Sequence, residues 1–228
     1  MCGRYALYGP VSRLREQFEV DFDEIDFRPH YNLAPMQHAP VIREVDRGER
    51  HVALLRWGLL PSWAKDPTIA ARLFNARAET AATKPSFRAA FKARRCLIPA
   101  DGFYEWAPAA TGGKQPHFIH LASGAPMALA GLWERWTAPA GEEVSTFTIL
   151  TIDANERLAP IHDRMPVILP PETWSLWLNP TRTPAQVAPL LRPYPSDSMQ
   201  LWPVSKRVGN VRADDPSLIE LVPPAAGS

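Results

Sequence analysis

Two apolar runs, PMALAGLW at 126–133 and TFTILTI at 146–152, decide how this chain folds. Short runs of this kind, with branched and aromatic side chains, are typical of β-strands. The stretch TAPAGEEV between them contains proline and glycine and predicts a hairpin loop, as does APAATGGKQP at 107–116. Further strands are predicted at 40–45, 51–60, 117–123 and, from PVIL, 166–169; helical spacing of apolar residues occurs at 11–19, 84–95 and 172–178. Many strands and few helices predict an α+β fold with a curved, largely antiparallel sheet or open β-barrel and a few flanking helices.

The composition agrees with one globular domain. The chain has 228 residues, of which 46% are hydrophobic and 21% charged, and its 25 prolines are spread along it rather than gathered in a linker. Apolar runs stop well before the roughly 20 residues that cross a bilayer, so no membrane partner is expected. The N-terminus lacks a charged segment followed by an apolar stretch, which favours a cytoplasmic or nuclear location. Two cysteines make a disulfide framework improbable.

Charge is distributed unevenly along the chain. The net charge of +1 by itself argues against a nucleic-acid partner. Residues 16–26 nevertheless carry six acids and no base, whereas residues 84–95 carry five bases and no acid. In the basic block Lys84, Arg88, Lys92 and Arg95 recur at helical spacing. This stripe is either a solvated helix face or a nucleic-acid contact surface.

Glu105 and His162 are polar residues in apolar surroundings. Glu105 stands between Tyr104 and Trp106 in GFYEW, where desolvation raises a carboxyl pKa toward the range of a general acid or base. The alternative is an edge-strand glutamate that points into water. His162, in PIHDRMP at 160–166, suits proton transfer near pH 7. The alternative for His162 is a structural role.

FNARAET at 74–80 places Asn75, Arg77 and Glu79 at alternating positions, so an extended segment would point all three the same way. An amide beside a guanidinium suits an oxygen-rich ligand such as sugar and phosphate. The alternative is a salt-bridged turn. Trp57 and Trp63 suit either base stacking or the core.

Cys2 directly follows the initiator Met. A packed or free cysteine is the ordinary interpretation of such a residue. Removal of Met1 would leave one residue that carries both an α-amine and a thiol, a pair that reacts with aldehydes. The sequence has no phosphate-binding glycine loop and no G-x-S-x-G motif, and His117 and His120 are not near a cysteine, so neither cofactor nor metal is expected.

Nine blocks occur in a fixed order: MCGR at 1–4, YNLAP at 31–35, RWGLLPSWAKD at 56–66, NARAET at 75–80, RRCLIPADGFYEW at 94–106, AGLWE at 130–134, FTILT at 147–151, IHDRMP at 161–166 and PVSKRVGNV at 203–211. Together they closely resemble the SRAP family, the SOS-response-associated peptidase-like, abasic-site processing proteins. The resemblance runs from Cys2 to Val211 and implies one SRAP-like catalytic and DNA-binding domain, which we place at 1–222, with 223–228 as a disordered tail.

The resemblance implies a covalent cross-link between processed Cys2 and an abasic site in single-stranded DNA, including junctions with duplex. Its product is a thiazolidine, in which the α-amine and the thiol close on one sugar carbon. By resemblance, the catalytic residues are Cys2, Glu105, His162 and Asn75. The DNA-binding residues are Arg4, Asn32, Trp63, Arg77, Lys84, Arg88, Thr151 and Arg164. Some family members carry an arginine where this chain has Pro85, so Lys84 or Arg88 takes that role here.

Three functions fit these residues. The first is an abasic-site cross-linker of the DNA damage or SOS response, with lyase-like chemistry through the imine. The second is a cysteine peptidase that uses Cys2 as nucleophile, including removal of its own Met1. The third is a non-catalytic reader of damaged DNA. A monomer is expected, in the cytoplasm with the nucleoid or in a nucleus.

Overall fold

The computed structural model describes residues 2–22, 25–45, 48–109 and 112–223. Within these ranges it contains twelve β-strands, five short α-helices and several short 3-10 helices. The predicted α+β class is confirmed. The predicted disordered tail lies outside the described residues except for Pro223, and so do two residues of the acidic block and two of the 107–116 loop.

Five strands pair in a closed ring, which makes the centre of the molecule a small β-barrel. Around the ring the order is β10, β4, β3, β6, β9 and back to β10. The strands are β3 (His38–Glu44), β4 (Arg50–Trp57), β6 (Arg95–Ala100), β9 (Met127–Thr137) and β10 (Glu143–Asp153). Only β10 and β4 run parallel, since an odd number of strands cannot close a ring by antiparallel pairs alone. The predicted hairpin at TAPAGEEV is confirmed as the link between β9 and β10.

The second half of β10 extends beyond the ring and pairs with two short strands, β5 (Asn75–Arg77) and β11 (Arg164–Pro166). Thr151 lies opposite Arg77 on one side and opposite Pro166 on the other. This register brings the NARAET, FTILT and IHDRMP blocks to one end of the barrel.

A second, fully antiparallel sheet has the order β12, β8, β7, β1, β2. Its strands are β1 (Tyr5–Leu7), β2 (His30–Leu33), β7 (Gly102–Pro108), β8 (Lys114–Leu121) and β12 (Met199–Pro203). The chain passes from the barrel into this sheet between β6 and β7. There Asp101 accepts hydrogen bonds from the backbone N–H of Tyr8 and Gly9 at 2.6 and 2.7 Å. Asp101 therefore fixes the end of β1 against the start of β7.

The helices are short and lie around the two sheets. They are α1 (Val11–Phe18), α2 (Ala78–Ala81), α3 (Arg88–Ala93), α4 (Trp174–Leu178) and α5 (Pro184–Val187), with 3-10 turns at Pro67–Arg72, Pro171–Thr173, Ala188–Leu190, Ser196–Ser198, Lys206–Gly209 and Pro216–Ile219. Helices are present in all three predicted regions. The 84–95 helix is shorter than predicted, and Arg95 is wrong as a member of the basic stripe: it is buried in β6 and donates to the carbonyls of Phe91, Lys92 and Trp177.

The core position of Trp57 is confirmed, whereas two local expectations are wrong. Trp57 is buried, lies 5.2 Å from the Tyr5 ring and stacks on Phe147, as a core tryptophan does. The predicted strand at 51–60 ends at Trp57 because Gly58 has φ of 124°, a conformation that side chains rarely adopt. Glu79 does not continue the extended segment of Asn75 and Arg77, because α2 begins at Ala78.

Among the described residues, no helix has the length and apolar character needed to cross a membrane.

Candidate functional site

Cys2 lies beside Glu105 because of the pairing between β1 and β7. Tyr5 faces Phe103, and the backbone N–H of Tyr104 donates to the Arg4 carbonyl at 3.0 Å. Continued antiparallel, this register brings residues 2 and 3 alongside Glu105. Cys2 has no exposed surface, and burial raises the pKa of its thiol, with a further rise from the negative charge of Glu105. The thiol therefore stays protonated at neutral pH until a base takes its proton.

Glu105 is itself buried, with 2% of its surface exposed. Burial raises the pKa of its carboxyl, and the positive form of His162 acts in the opposite direction. The predicted desolvation is confirmed, and the alternative of an edge glutamate in water is wrong. A carboxyl whose pKa is raised holds its proton more readily than an exposed one, which suits the role of a general acid.

His162 is held by the chain on both sides. Its backbone N–H donates to the Leu158 carbonyl at 3.0 Å, and the carbonyl of Asp163 accepts from Ala154 N–H at 2.9 Å. The ring nitrogen Nδ1 faces this loop, 2.9 Å from the backbone nitrogen of Arg164 and 2.9 Å from Oδ1 of Asp163. With Nδ1 turned to the loop, Nε2 is the nitrogen that points away from it.

Asn75 and Thr151 lie on adjacent parallel strands and share one face, because Asn75 pairs with Ile149 and Arg77 with Thr151. Asn75 Nδ2 donates to the Phe74 carbonyl at 3.0 Å. The Oδ1 of Asn75 and the Oγ1 of Thr151 are buried and have no hydrogen-bond partner within the described ranges. A buried polar atom without a partner costs about 1–3 kcal/mol, so these two oxygens favour a ligand that offers hydroxyl groups.

Arg164 is already paired. Both terminal nitrogens donate to the Glu79 carboxylate at 2.8 Å, one donates to Asp153 at 2.5 Å and the other to the Thr151 carbonyl at 2.7 Å. The Arg164 side chain is 8% exposed. In the structure as it stands, Arg164 joins α2, β10 and β11, and its predicted contact with DNA phosphate stays a prediction. From the sequence, Glu79 was named only as part of the FNARAET segment and Asp153 was not singled out, although an acid at the end of a buried strand such as β10 is a usable signal.

Arg4 and Asn32 are similarly occupied. Asn32, 2% exposed, donates to the carbonyls of Val208, Asn210 and Ala213 at 3.2, 3.0 and 2.7 Å and accepts from Arg4 at 2.9 Å. Arg4 also donates to the carbonyls of Val208 and Gly209. The two side chains thus bind the loop at 208–213 to the start of the chain. Their predicted DNA contacts also stay predictions.

Trp63 and two of the predicted DNA-binding cations lie close together on the surface. Trp63 is 56% exposed, so the interpretation as a core residue is wrong for it, and its Nε1 donates to the Pro85 carbonyl at 3.4 Å. This contact sets Trp63 beside the segment that bears the exposed Lys84 and Arg88. A cavity of about 420 Å³ lies next to it, lined by Trp63, Ala64, Lys65, Asp66, Ile69 and Arg72.

A buried thiol, a carboxyl of raised pKa and an imidazole within electrostatic reach of that carboxyl form a candidate site, and these are the groups that nucleophilic chemistry requires. No group of three or more histidine, cysteine or acidic side chains placed to hold a metal ion occurs in the described part of the chain. The two cysteines, Cys2 and Cys96, are free thiols.

The sequence model of the family described as SOS response associated peptidase (SRAP) matches residues 1–211. The chain therefore belongs to the SRAP family, as its nine motifs predicted. It is similar to the abasic site processing protein YoqW of Bacillus subtilis, with 44% identity over 96% of this chain and 99% of that protein. It is also similar to the abasic site processing protein HMCES of Gallus gallus, with 34% identity over 96% of this chain and 77% of that protein.

The fold is shared with solved structures. A crystal structure of a protein from Bacteroides thetaiotaomicron superimposes with a TM-score of 0.85 at 28% identity, and covers 97% of this chain and 100% of that one. A protein from Bordetella bronchiseptica gives a TM-score of 0.76 at 31% identity, over 90% of this chain and 100% of that one.

Proposed function

We propose that this protein processes abasic sites in DNA by forming a covalent thiazolidine between mature Cys2 and the ring-opened deoxyribose. The observation that carries the proposal is the burial of the Cys2 thiol against the buried carboxyl of Glu105 at the start of the chain. The names of the relatives, which are abasic site processing proteins, support the choice of substrate. A DNA substrate places the protein in the cytoplasm with the nucleoid, or in a nucleus.

The thiazolidine forms in two steps. The free α-amine of Cys2 adds to the C1′ aldehyde, and loss of water gives an imine. The thiol then adds to the same carbon, its proton passes to the imine nitrogen, and a five-membered ring results. Only an N-terminal cysteine closes this ring, so the proposal requires removal of Met1, which lies outside the described residues.

Glu105 donates and accepts the protons that these two steps require. As a carboxylic acid it donates the proton with which the carbinolamine hydroxyl leaves as water, and as a carboxylate it accepts the proton of the attacking thiol. Burial raises its pKa and so favours the protonated form that the first of these steps uses. We assign His162 to the sugar, where opening of the ring moves one proton from the C1′ hydroxyl to the ring oxygen.

The sugar and the phosphates have separate candidate partners. The buried oxygens of Asn75 and Thr151 suit the hydroxyl groups of the opened sugar. The exposed cations Arg77, Lys84 and Arg88 suit phosphates, and Trp63 suits stacking on an unpaired base in single-stranded DNA or at a junction with duplex. The proposal treats the protein as a monomer.

A peptidase activity is the second candidate, since the description of the family includes the word peptidase. The same thiol, carboxyl and imidazole would cleave the bond after Met1. A peptidase that acts on other proteins needs an accessible thiolate of lowered pKa. The Cys2 thiol is buried and its pKa is raised, which favours self-processing over cleavage of other chains.

The test uses single-stranded DNA with one uracil, treated with uracil glycosylase to create an abasic site. Purified protein is expected to give a band of protein joined to DNA that survives heat and detergent, with no such band on intact DNA. Cys2→Ala should abolish it. Cys96→Ala is the matched control, because Cys96 is the other fully buried cysteine and lies in β6, away from the start of the chain.

Mass spectrometry of the mature N-terminus and of the adduct completes the experiment. The expected mass of the free protein lacks Met1, and the adduct maps to Cys2 with loss of one water. A cross-link that persists in Cys2→Ala, or one that maps to another side chain, would overturn the proposal. Cleavage of unrelated peptides without any DNA adduct would favour the peptidase instead.

A further inference from the structure

The backbone of Arg4 lies between the Cys2 sulfur and β7. Its N–H donates to the sulfur, and this hydrogen bond lowers the pKa of the thiol, whereas burial and the negative charge of Glu105 raise it. Its carbonyl accepts from the N–H of Tyr104 at 3.0 Å. A backbone donor aimed at a sulfur favours the thiolate over the thiol, because the hydrogen bond is stronger to the charged form.

The guanidinium of Arg4 fixes the same residue from its other end. Nη1 donates to Oδ1 of Asn32 at 2.9 Å and to the Val208 carbonyl, and Nη2 donates to the Gly209 carbonyl at 3.2 Å. Both hydrogens of Nη1 are therefore used, and the planar group sets the direction of the side chain. Asn32 is held in turn by three carbonyls of the loop at 208–213.

These side-chain bonds matter because residues 2–4 precede β1 and lie outside the strand. A segment outside a sheet lacks the regular ladder that fixes strand backbones, so its N–H groups keep their direction only where other contacts hold them. Burial alone makes the Cys2 thiol a weak nucleophile, since the thiolate is the reactive form. A donor fixed on the sulfur acts against that handicap.

We propose that Arg4 is a positioning residue, whose guanidinium, bound to Asn32 and to the loop at 208–213, holds its own backbone N–H on the Cys2 sulfur during ring closure. This inference rests on the proposed function for its reaction. As the thiol proton passes to the Glu105 carboxylate, negative charge grows on the sulfur and the N–H donates to it. The sulfur then bonds to C1′, the electron pair of the imine bond passes to nitrogen, and Glu105 returns the proton to that nitrogen.

The resemblance implied a different role for Arg4, a contact with DNA phosphate, and two measurements separate the roles. Binding is measured on single-stranded DNA that carries tetrahydrofuran, an abasic analogue without an aldehyde. Chemistry is measured as the cross-linking rate on abasic DNA at saturating protein. Loss of a phosphate contact weakens binding and its dependence on salt. Loss of the positioning contact slows the saturated rate and leaves both binding properties unchanged.

Arg4→Ala and Arg4→Lys are the test variants. Lysine keeps the positive charge but lacks the planar group that reaches several acceptors in a fixed geometry. A phosphate contact would survive in Arg4→Lys, whereas the positioning contact would not. We expect both variants to lower the saturated rate by about 10-fold or more, because a hydrogen bond to a charged group is lost at the reacting sulfur.

Sodium cyanoborohydride identifies the step that is slowed. It reduces the imine to a secondary amine, which is heavier than the thiazolidine by two hydrogen atoms, so mass spectrometry separates the two adducts. Slower attack by sulfur leaves more imine to be reduced, so Arg4→Ala should give a larger share of the reduced adduct than the wild type. Cys2→Ser has the amine without the thiol and sets the upper limit of that share.

Arg13→Ala is the matched control for loss of stability. Arg13 forms an ion pair with Asp101, whose carboxylate accepts from the N–H groups of Tyr8 and Gly9. Arg13 thus supports the far end of β1, while Arg4 supports the near end. At a temperature where all variants are folded, Arg13→Ala should lose stability but keep the wild-type rate and the wild-type share of reduced adduct.

Hydrogen exchange of the N–H of residue 4 needs no DNA. This N–H should exchange slowly in the wild type, and faster in Arg4→Lys and in Cys2→Ala, which lose the guanidinium contacts and the acceptor sulfur respectively. Wild-type rate and wild-type exchange in Arg4→Lys would overturn the inference, and so would weaker binding at an unchanged saturated rate in Arg4→Ala. Absence of any cross-link in the wild type would instead refute the proposed function, while the exchange measurement would still decide the role of Arg4.

Discussion

Replacement of Asn32 by alanine tests whether the start of the chain depends on the loop at 208–213. The amide of Asn32 joins three loop carbonyls to the guanidinium of Arg4, two residues from Cys2. Asn32→Ala removes every one of these bonds and leaves Arg4 with only the Val208 and Gly209 carbonyls. We expect a less stable protein in which the loop opens more often.

The size of the expected loss of stability follows from the number of hydrogen bonds that Asn32→Ala removes. An amide has two N–H groups, so three carbonyls share two donors worth about 1 kcal/mol each, and the bond from charged Arg4 adds about 1.5–3 kcal/mol. Asn210 is exposed and Ala213 half-buried, so water replaces part of what their carbonyls lose. We therefore expect a fall of about 2–3 kcal/mol in the free energy of unfolding, or about 4–12 °C in Tm for a chain of this size.

Urea unfolding followed by tryptophan fluorescence measures this change, and hydrogen exchange of residues 204–213 measures opening of the loop. Asn210→Ala is the matched control, because this exposed asparagine of the same loop makes one side-chain bond, to Arg212 N–H at 3.1 Å, and should cost under about 1 kcal/mol. A change in Asn32→Ala within about 0.5 kcal/mol of zero would refute the reasoning. Weaker DNA binding at unchanged stability would favour a direct DNA contact by Asn32 instead.

Four further variants separate chemistry, packing and DNA contact. Folding raises the pKa of Glu105, so its contribution to stability is present at low pH and is lost as pH rises. In thermal melts, Glu105→Gln should therefore be more stable than the wild type at pH 8 but not at pH 4. The same variant should form the cross-link more slowly. Glu79→Gln takes one carboxylate from buried Arg164 and should cost about 1–2 kcal/mol in urea unfolding, because Glu79 is half exposed and its pair is partly screened. Trp63→Ala should change the free energy of unfolding by less than about 0.5 kcal/mol and weaken binding to single-stranded DNA by about 1–3 kcal/mol. Trp57→Ala, in the core, should lower the free energy of unfolding by about 3–5 kcal/mol. Equal losses of stability in the two tryptophan variants would contradict the assignment of Trp63 to the surface.

Local patterns predicted β3, β4, β8, β9 and β10, whereas β1, β2, β6, β7 and β12 were not predicted as strands. The runs at 126–133 and 146–152 form the long hairpin of the barrel, because side-chain alternation and turn residues are encoded in neighbouring positions. Glu105 was predicted to be desolvated from its two aromatic neighbours alone, and its burial agrees. The ordered motifs are likewise sufficient to identify the family, which the match of the family model confirms.

The pairing of distant segments could not be predicted in this way. Nothing near Arg164 in the sequence indicates that its guanidinium meets Glu79, 85 positions away. Arg95 fits the helical spacing of the basic stripe, yet it is buried because the barrel needs β6 at that point.

The sequence by itself determined the hairpin of β9 and β10 and several other strands, which residues carry reactive groups, and that the Cys2 thiol lies next to the chain start. Only the tertiary structure decided that this thiol is buried near Glu105, that His162 lies within electrostatic reach of the same carboxyl, and which arginines are already paired. The physical reason is that strand formation depends on residues within a few positions, whereas pKa shifts and ion pairs depend on groups that strand pairing brings together from far along the chain.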